Sequence, residues 1–341
     1  RAMDFLLKED GLAVIGTCGQ HECWHDTQEG AANLGETCAT AYLIRWWDEL
    51  LRRDGDPLYG DLIERAVYNA LFAAQSPDGR RIRYYIPFEG PRAYFEGDTY
   101  CCPCNYRRII AELPQMIAYT TADGIAVSLY TPSTATLTLP SGVNVAIDQE
   151  TAYPSDGHVR LRVQPETPAT FPLELRIPRW CERARVIVNG EAQPGPAPTP
   201  GSWYFVRREW RSGDLVEVEL PLSPQWVKGR KAQAGRVALL CGPRVFCLSR
   251  AHDPALEKED LRLITIDPAT LTGPFPDDTV RPGGLAFKVK AWKTTNWYPF
   301  APTDWELTLT EFPDPDGEMT YFHAPNPEDP AFRNDPLIPG S

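Results

Sequence analysis

The chain has 341 residues, enough for two or three domains, and carries 34 basic against 46 acidic side chains, a net charge of −12. That acidic surplus argues against a general nucleic-acid or anionic-membrane binder, which needs cations to neutralise phosphates, and is indifferent to a neutral sugar. No apolar run of about 18 residues occurs, so no membrane-spanning helix is expected.

Residues Arg1 to Asp10 are charged and amphipathic and lack the pattern of a secretory leader. A helix-like pattern is already running there, so the chain reads as a fragment, and any true targeting signal would be lost. A cytoplasmic location is the expectation. Glu36 to Arg53 places Ala41, Ile44, Trp47 and Leu51 near one stripe, a helix ended by Gly55 and Pro57. Tyr59 to Gln75 reads as a second helix, with Leu62, Ala66, Asn69 and Ala73 spaced by three or four. Ser76-Pro77-Asp78-Gly79 is a turn signal. Ile82 to Pro87 is strand-like, Phe88 to Tyr100 irregular, and Asn105 to Ala118 a third helix.

From about residue 119 the apolar period becomes two. Short strands are expected at Ile125 to Tyr130, Thr136 to Leu139, Val143 to Ile147, Val159 to Val163, Leu173 to Ile177, Ala184 to Val188 and Val216 to Leu220. Asn189-Gly190 is a hairpin turn. Arg236 to Leu248 is a strand pair broken at Gly242-Pro243. After 250 the chain reads as loop-rich, with strands at Leu285 to Ala291 and Trp305 to Phe312. The expected fold class is α+β and multidomain: a helical part over 1–118, one β-sandwich from 119–140 with 223–341, and a second inserted over 141–222.

Nine cysteines are an odd number, and they cluster: Cys18, Cys23 and Cys38, then Cys101, Cys102 and Cys104, then Cys181, Cys241 and Cys247. Adjacent cysteines rarely pair with each other, so the spacing favours a reduced protein with some metal-binding thiolates. Glu36-Thr37-Cys38 sits at a helix start, and Cys101-Cys102-Pro103-Cys104 lies just before another helix. Zinc takes thiolates and carboxylates in a four-coordinate shell, which makes Glu36, Cys38, Cys101 and Cys102 a candidate set. Spacing alone leaves the alternative open that these are buried core thiols.

GETCAT (Gly35 to Thr40) followed by YCCPCN (Tyr100 to Asn105) resembles the paired signatures of glycoside hydrolase family 127, which includes β-L-arabinofuranosidases. ERAVYNAL (Glu64 to Leu71), LRIPRWC (Leu175 to Cys181) and REWRSGDLVEVELP (Arg208 to Pro221) extend the match, which covers the second half of the family's usual length. The resemblance implies the C-terminal part of an (α/α)6 barrel followed by β-sandwich domains. It implies zinc held by Glu36, Cys38, Cys101 and Cys102, with Cys101 as nucleophile. The family's acid/base glutamate precedes the first signature and is matched best by Glu22, with Glu29 as the fallback. Cys104 stands where the family commonly has a second proline, and is expected to sit idle.

The activity implied is retaining hydrolysis that releases β-linked L-arabinofuranose. Alternatives are another sugar on the same fold, or an inactive carbohydrate-binding or structural fragment. His21, Trp24, Tyr68 and Tyr100 are weaker substrate-binding candidates, and His25 also flanks Glu22; each has a structural role as its alternative. The expected partner is an oligosaccharide or glycan, with no nucleic acid and no membrane, and the reading allows a homodimer through the β-sandwich part.

Overall fold

The computed structural model describes residues 1–19, 21–97, 99–294 and 305–338. The chain divides into two compact units, one of residues 1–44, 65–108 and 224–341, the other of 45–64 and 109–223. The fold is α+β, with few helices and many strands.

Helix α1 is Ala2–Lys8, α2 Thr37–Asp54, α3 Pro57–Ala66 and α4 Cys101–Glu112. Helix α2 matches the expected stripe, and its Ala41, Ile44 and Trp47 are buried. The expected second helix is interrupted: α3 gives way to a π-helical turn at Val67–Leu71. The cause lies in Asn69, which is fully buried. Its side-chain nitrogen donates to the carbonyls of Arg65 (2.7 Å) and Pro243 (2.9 Å), and its oxygen accepts from the Val245 amide (2.7 Å). The π turn carries this amide.

Helix α4 starts at Cys101 rather than after Pro103. The first four amides of a helix have no intrahelical acceptor, so a proline there removes no bond. Cys101 and Cys102 therefore form the first turn of the helix instead of preceding it. Ile82 to Pro87 forms no strand; it makes isolated bridges, Gln75 to Ile82, Ile82 to Phe95 and Glu36 to Tyr85.

The second unit contains strands β1 Ala118–Thr120, β2 Ile125–Val127, β3 Ser133–Thr138, β4 Asn144–Thr151, β5 His158–Pro165, β6 Ala169–Ile177, β7 Arg185–Val188, β8 Glu191–Ala192, β9 Ser202–Trp210 and β10 Asp214–Glu219. They form a four-stranded sheet, β1-β2-β6-β9, and a six-stranded sheet, β3-β4-β5-β10-β7-β8. Alternation is strict in β5, where Val159, Leu161 and Val163 are buried between half-exposed residues.

Strands β2 and β3 fall in the stretch expected to join a sandwich completed after residue 223. They pair instead with β6 and β4 inside 118–219. The residues after 223 make their own sheet from β11 Pro224–Lys228, β12 Arg236–Cys241, β13 Arg244–Leu248, β14 Ile264–Pro276, β15 Leu285–Lys293, β16 Trp305–Glu311 and β17 Tyr321–His323. Its order is β11-β12-β13-β16-β15-β14-β17, and β17 also pairs with β12, so the ladder closes on itself. Strand β14 went unread because register shifts between Asp267 and Thr272, and between Thr272 and Phe275, break its alternation.

Candidate active site

Two distant stretches meet in the first unit. The Thr37 amide donates to the Tyr84 carbonyl (2.9 Å) and its hydroxyl to the Arg83 carbonyl (2.7 Å). This pins the start of α2 to the extended segment 83–85. The first turn of α4 arrives at the same place. The Cys102 thiol faces the Tyr84 carbonyl at 3.7 Å, and the Cys38 amide donates to Cys102 Sγ at 3.4 Å.

The sulfurs of Cys38, Cys101 and Cys102 all lie within 4.8 Å of one another. Glu36 Oε2 accepts from Cys38 Sγ at 3.8 Å. Three thiols and one carboxylate converging from two helix starts are a donor set that fits zinc. A group of unrelated core thiols would have no reason to carry the buried Glu36 beside them.

The charges at the cluster are graded. A hydrogen bond from the Cys102 thiol lowers the pKa of Cys38, and the same bond, with burial, raises that of Cys102. The shared proton therefore sits on Cys102 rather than on Cys38. Burial raises the pKa of Glu36, and the negative charge of Glu22 adds to it. Cys101 is the exposed member, and the Tyr84 hydroxyl lies 3.1 Å from its sulfur. That contact, together with burial, pushes the Tyr84 phenol up, so Tyr84 keeps its proton beside the sulfur.

The loop before α2 is closed at its base by the Gly35 amide, which donates to the Gly19 carbonyl at 3.0 Å. Closure brings Glu22 to Glu36, and the Glu22 backbone amide donates to the Glu36 carboxylate. His21 and Glu22 are consecutive residues at positive φ, 49° and 59°, a conformation that costs non-glycine residues energy. His21 hydrogen-bonds the Asn33 side chain and meets the Tyr85 ring edge-on at 6.0 Å.

A pocket of about 480 Å3 opens beside Cys101, lined by Tyr84, Tyr85, Tyr94, Phe95 and Tyr100 among others. Tyr100, 60% exposed, packs edge-on against Phe95. Of the sequence candidates, Glu36, Cys38, Cys101 and Cys102 come together, Glu22 and His21 stand next to them, and Tyr100 lines the pocket. Trp24 packs on Phe5 and Tyr68 on Phe72, and neither lines this pocket. Glu29 is exposed, and Cys104 is outside the group of converging sulfurs. Tyr84, Tyr85 and Phe95 were not read from the sequence; the aromatic pair in RYYIPF was the available signal.

Comparison with known proteins places the chain in a family. The β-L-arabinofuranosidase GH127 catalytic-domain family matches residues 7–115, and the GH127 middle-domain family matches residues 124–222. The non-reducing end β-L-arabinofuranosidase of Bifidobacterium longum subsp. longum is 30% identical over 244 residues, 64% of this chain and 36% of that protein. Ara127N-Se, a GH127 β-L-arabinofuranosidase from Geobacillus stearothermophilus T6, superposes with a TM-score of 0.80 at 27% identity, over 93% of this chain and 55% of its own. The GH127 β-arabinofuranosidase BT3674 gives a TM-score of 0.82 at 24% identity, over 94% of this chain and 55% of its own, a likeness of fold. A glycosidase fold with a cysteine-rich centre is thus the class defined. The chain belongs to glycoside hydrolase family 127, and it spans about a third to a half of the length of these relatives.

Proposed function

We propose that the chain is the C-terminal part of a retaining glycoside hydrolase that releases β-linked L-arabinofuranose, with Cys101 as nucleophile and Glu22 as acid/base. The observation that carries this reading is the meeting of three sulfurs from two motifs 63 residues apart, with only Cys101 exposed. Relatives named for this activity support the sugar assignment. In the same reading the helices belong to an (α/α)6 barrel and the sheets to β-sandwich domains.

Glu36, Cys38, Cys101 and Cys102 would hold zinc. Bound there, zinc supplies the charge that keeps its cysteine ligands deprotonated at neutral pH.

The chain's own groups account for the rest. Cys101 Sγ, the exposed sulfur of the cluster, attacks the anomeric carbon, so that a C–S bond forms as the glycosidic C–O bond breaks. Glu22 gives its proton to the departing oxygen. It then takes a proton from water, which attacks the same carbon and breaks the C–S bond. Two inversions restore the starting configuration. Tyr84 holds its phenol against the sulfur and limits the rotamers Cys101 can adopt. The aromatic walls offer flat apolar faces to the substrate.

Metal analysis of the purified chain, with a panel of nitrophenyl glycosides, tests the reading. Zinc with turnover on the L-arabinofuranoside supports it, and turnover on another glycoside reassigns the sugar. Zinc without turnover leaves a carbohydrate-binding or structural part, and a chain without metal refutes the centre.

A further inference from the structure

The second unit holds a cleft of about 930 Å3 that shares no residue with the cysteine cluster. Its floor is a single register row across the four-stranded sheet. Tyr119 pairs with Ala126, Ala126 with Glu174, and Glu174 with Phe205. Residues paired across strands share a face, so all four side chains stand on one side of the sheet. The other side carries Leu173, Leu175 and Val206, which are buried.

The row crosses three inter-strand spacings, roughly 14 Å. An aromatic ring stands at each end and a methyl group lies between. A carboxylate stands beside Phe205, and Trp203 follows one step along the same face.

Each part is held in place. The Trp203 indole N–H is committed to the Gly55 carbonyl at 2.7 Å, which fixes the ring. The Arg52 guanidinium lies 4.6 Å from the centre of the Tyr119 ring. The Glu174 carboxylate accepts from the Thr121 hydroxyl at 2.9 Å, and a carboxylate has room for further donors. Phe205 remains 60% exposed although it stands mid-strand, where core packing makes no use of it.

Flat apolar rings flanking a fixed hydrogen-bond acceptor match the two faces of a sugar: C–H groups for the rings, hydroxyls for the carboxylate. Arg52 and Arg53 balance Asp54 and Glu174 in the lining, so the cleft carries no net charge and suits a neutral sugar. We propose that this cleft is a carbohydrate-binding site for a short neutral oligosaccharide laid along its roughly 14 Å floor. The proposal rests on the reading that the chain acts on glycans. Its role would be to hold a neighbouring part of the chain being cleaved.

The test titrates the whole chain with arabino-oligosaccharides of one to four units, by calorimetry and tryptophan fluorescence. It includes Phe205→Ala and Glu174→Gln, each first shown to unfold at the wild-type midpoint, and Cys101→Ala, first shown by circular dichroism to be folded at the titration temperature. Wild type and Cys101→Ala should bind the disaccharide equally. Phe205→Ala should weaken binding about tenfold, the worth of one stacked ring, and should leave cleavage of a nitrophenyl arabinofuranoside unchanged.

No binding by wild type at millimolar sugar would overturn the proposal, as would binding indifferent to both Phe205→Ala and Glu174→Gln. Binding lost only in Cys101→Ala would place the sugar at the cysteine site and refute the cleft while sparing the proposed activity. Binding lost in the cleft variants of a chain without turnover would do the reverse.

Discussion

Replacing Arg176 with methionine should cost about 3–5 kcal/mol at neutral pH, because it strands two buried carboxylates. Arg176 is fully buried. Its Nη2 donates to Glu64 Oε1 at 2.7 Å, its Nη1 to Asp61, and its Nε to the Ser128 carbonyl at 2.5 Å. Glu64 also accepts from the Tyr153 hydroxyl (2.8 Å) and the Trp180 indole (3.4 Å), and Asp61 from the Arg179 amide (3.2 Å). Methionine keeps much of the volume and removes the charge.

Burial pushes the Asp61 carboxyl up to about 6, with Glu64 adding to the push and Arg176 opposing it. A carboxyl raised on folding favours the fold fully below its unfolded value of 3.8, and loses that contribution as pH rises through about 6. Without Arg176 the value climbs further. The cost of the substitution should therefore be largest above neutrality and shrink towards about pH 5, where Asp61 takes up its proton. Urea unfolding followed by tryptophan fluorescence at the two pH values measures both effects. A loss under about 1 kcal/mol, the worth of an exposed pair, or a loss independent of pH, would refute the reasoning.

Cys38→Ser should lower bound zinc, read by elemental analysis, and lower the unfolding temperature with it, since metal binding is coupled to folding. Cys101→Ala should abolish turnover even on L-arabinofuranosides with very good leaving groups, whereas Glu22→Gln should hurt poor leaving groups far more than good ones in the first step. Comparing initial rates across a leaving-group series separates the two. Asn69→Ala should cost about 2–4 kcal/mol, because three hydrogen bonds to buried backbone groups are lost together; urea unfolding reads it. The hydrogen bond from His252 to Asp314, 2.6 Å long, raises the pKa of His252. Its stability contribution is full below the ordinary histidine value of 6.5 and is lost as pH rises through the raised value, so His252→Gln should flatten the decline in melting temperature across that window.

Local periodicity determined much of this fold. The stripe of α2, the alternation of β5 and the Asn189-Gly190 turn, whose residues both adopt positive φ, depend on neighbours close in sequence and were legible there. The two cysteine motifs were legible as chemistry through their residue types and their family resemblance. Pairing partners were not legible, because they depend on which apolar faces bury each other. Strands β2 and β3 carry the same alternation whichever sheet receives them. Glu64 and Arg176 sit in motifs seen separately, and only the fold joins them across 112 residues. Only tertiary contact brought Cys38 to Cys102, and Tyr84 to Cys101. The start of α4 at Cys101 was hidden for a related reason: proline signals a break by the bond it cannot donate, and in the first turn of a helix no such bond is required.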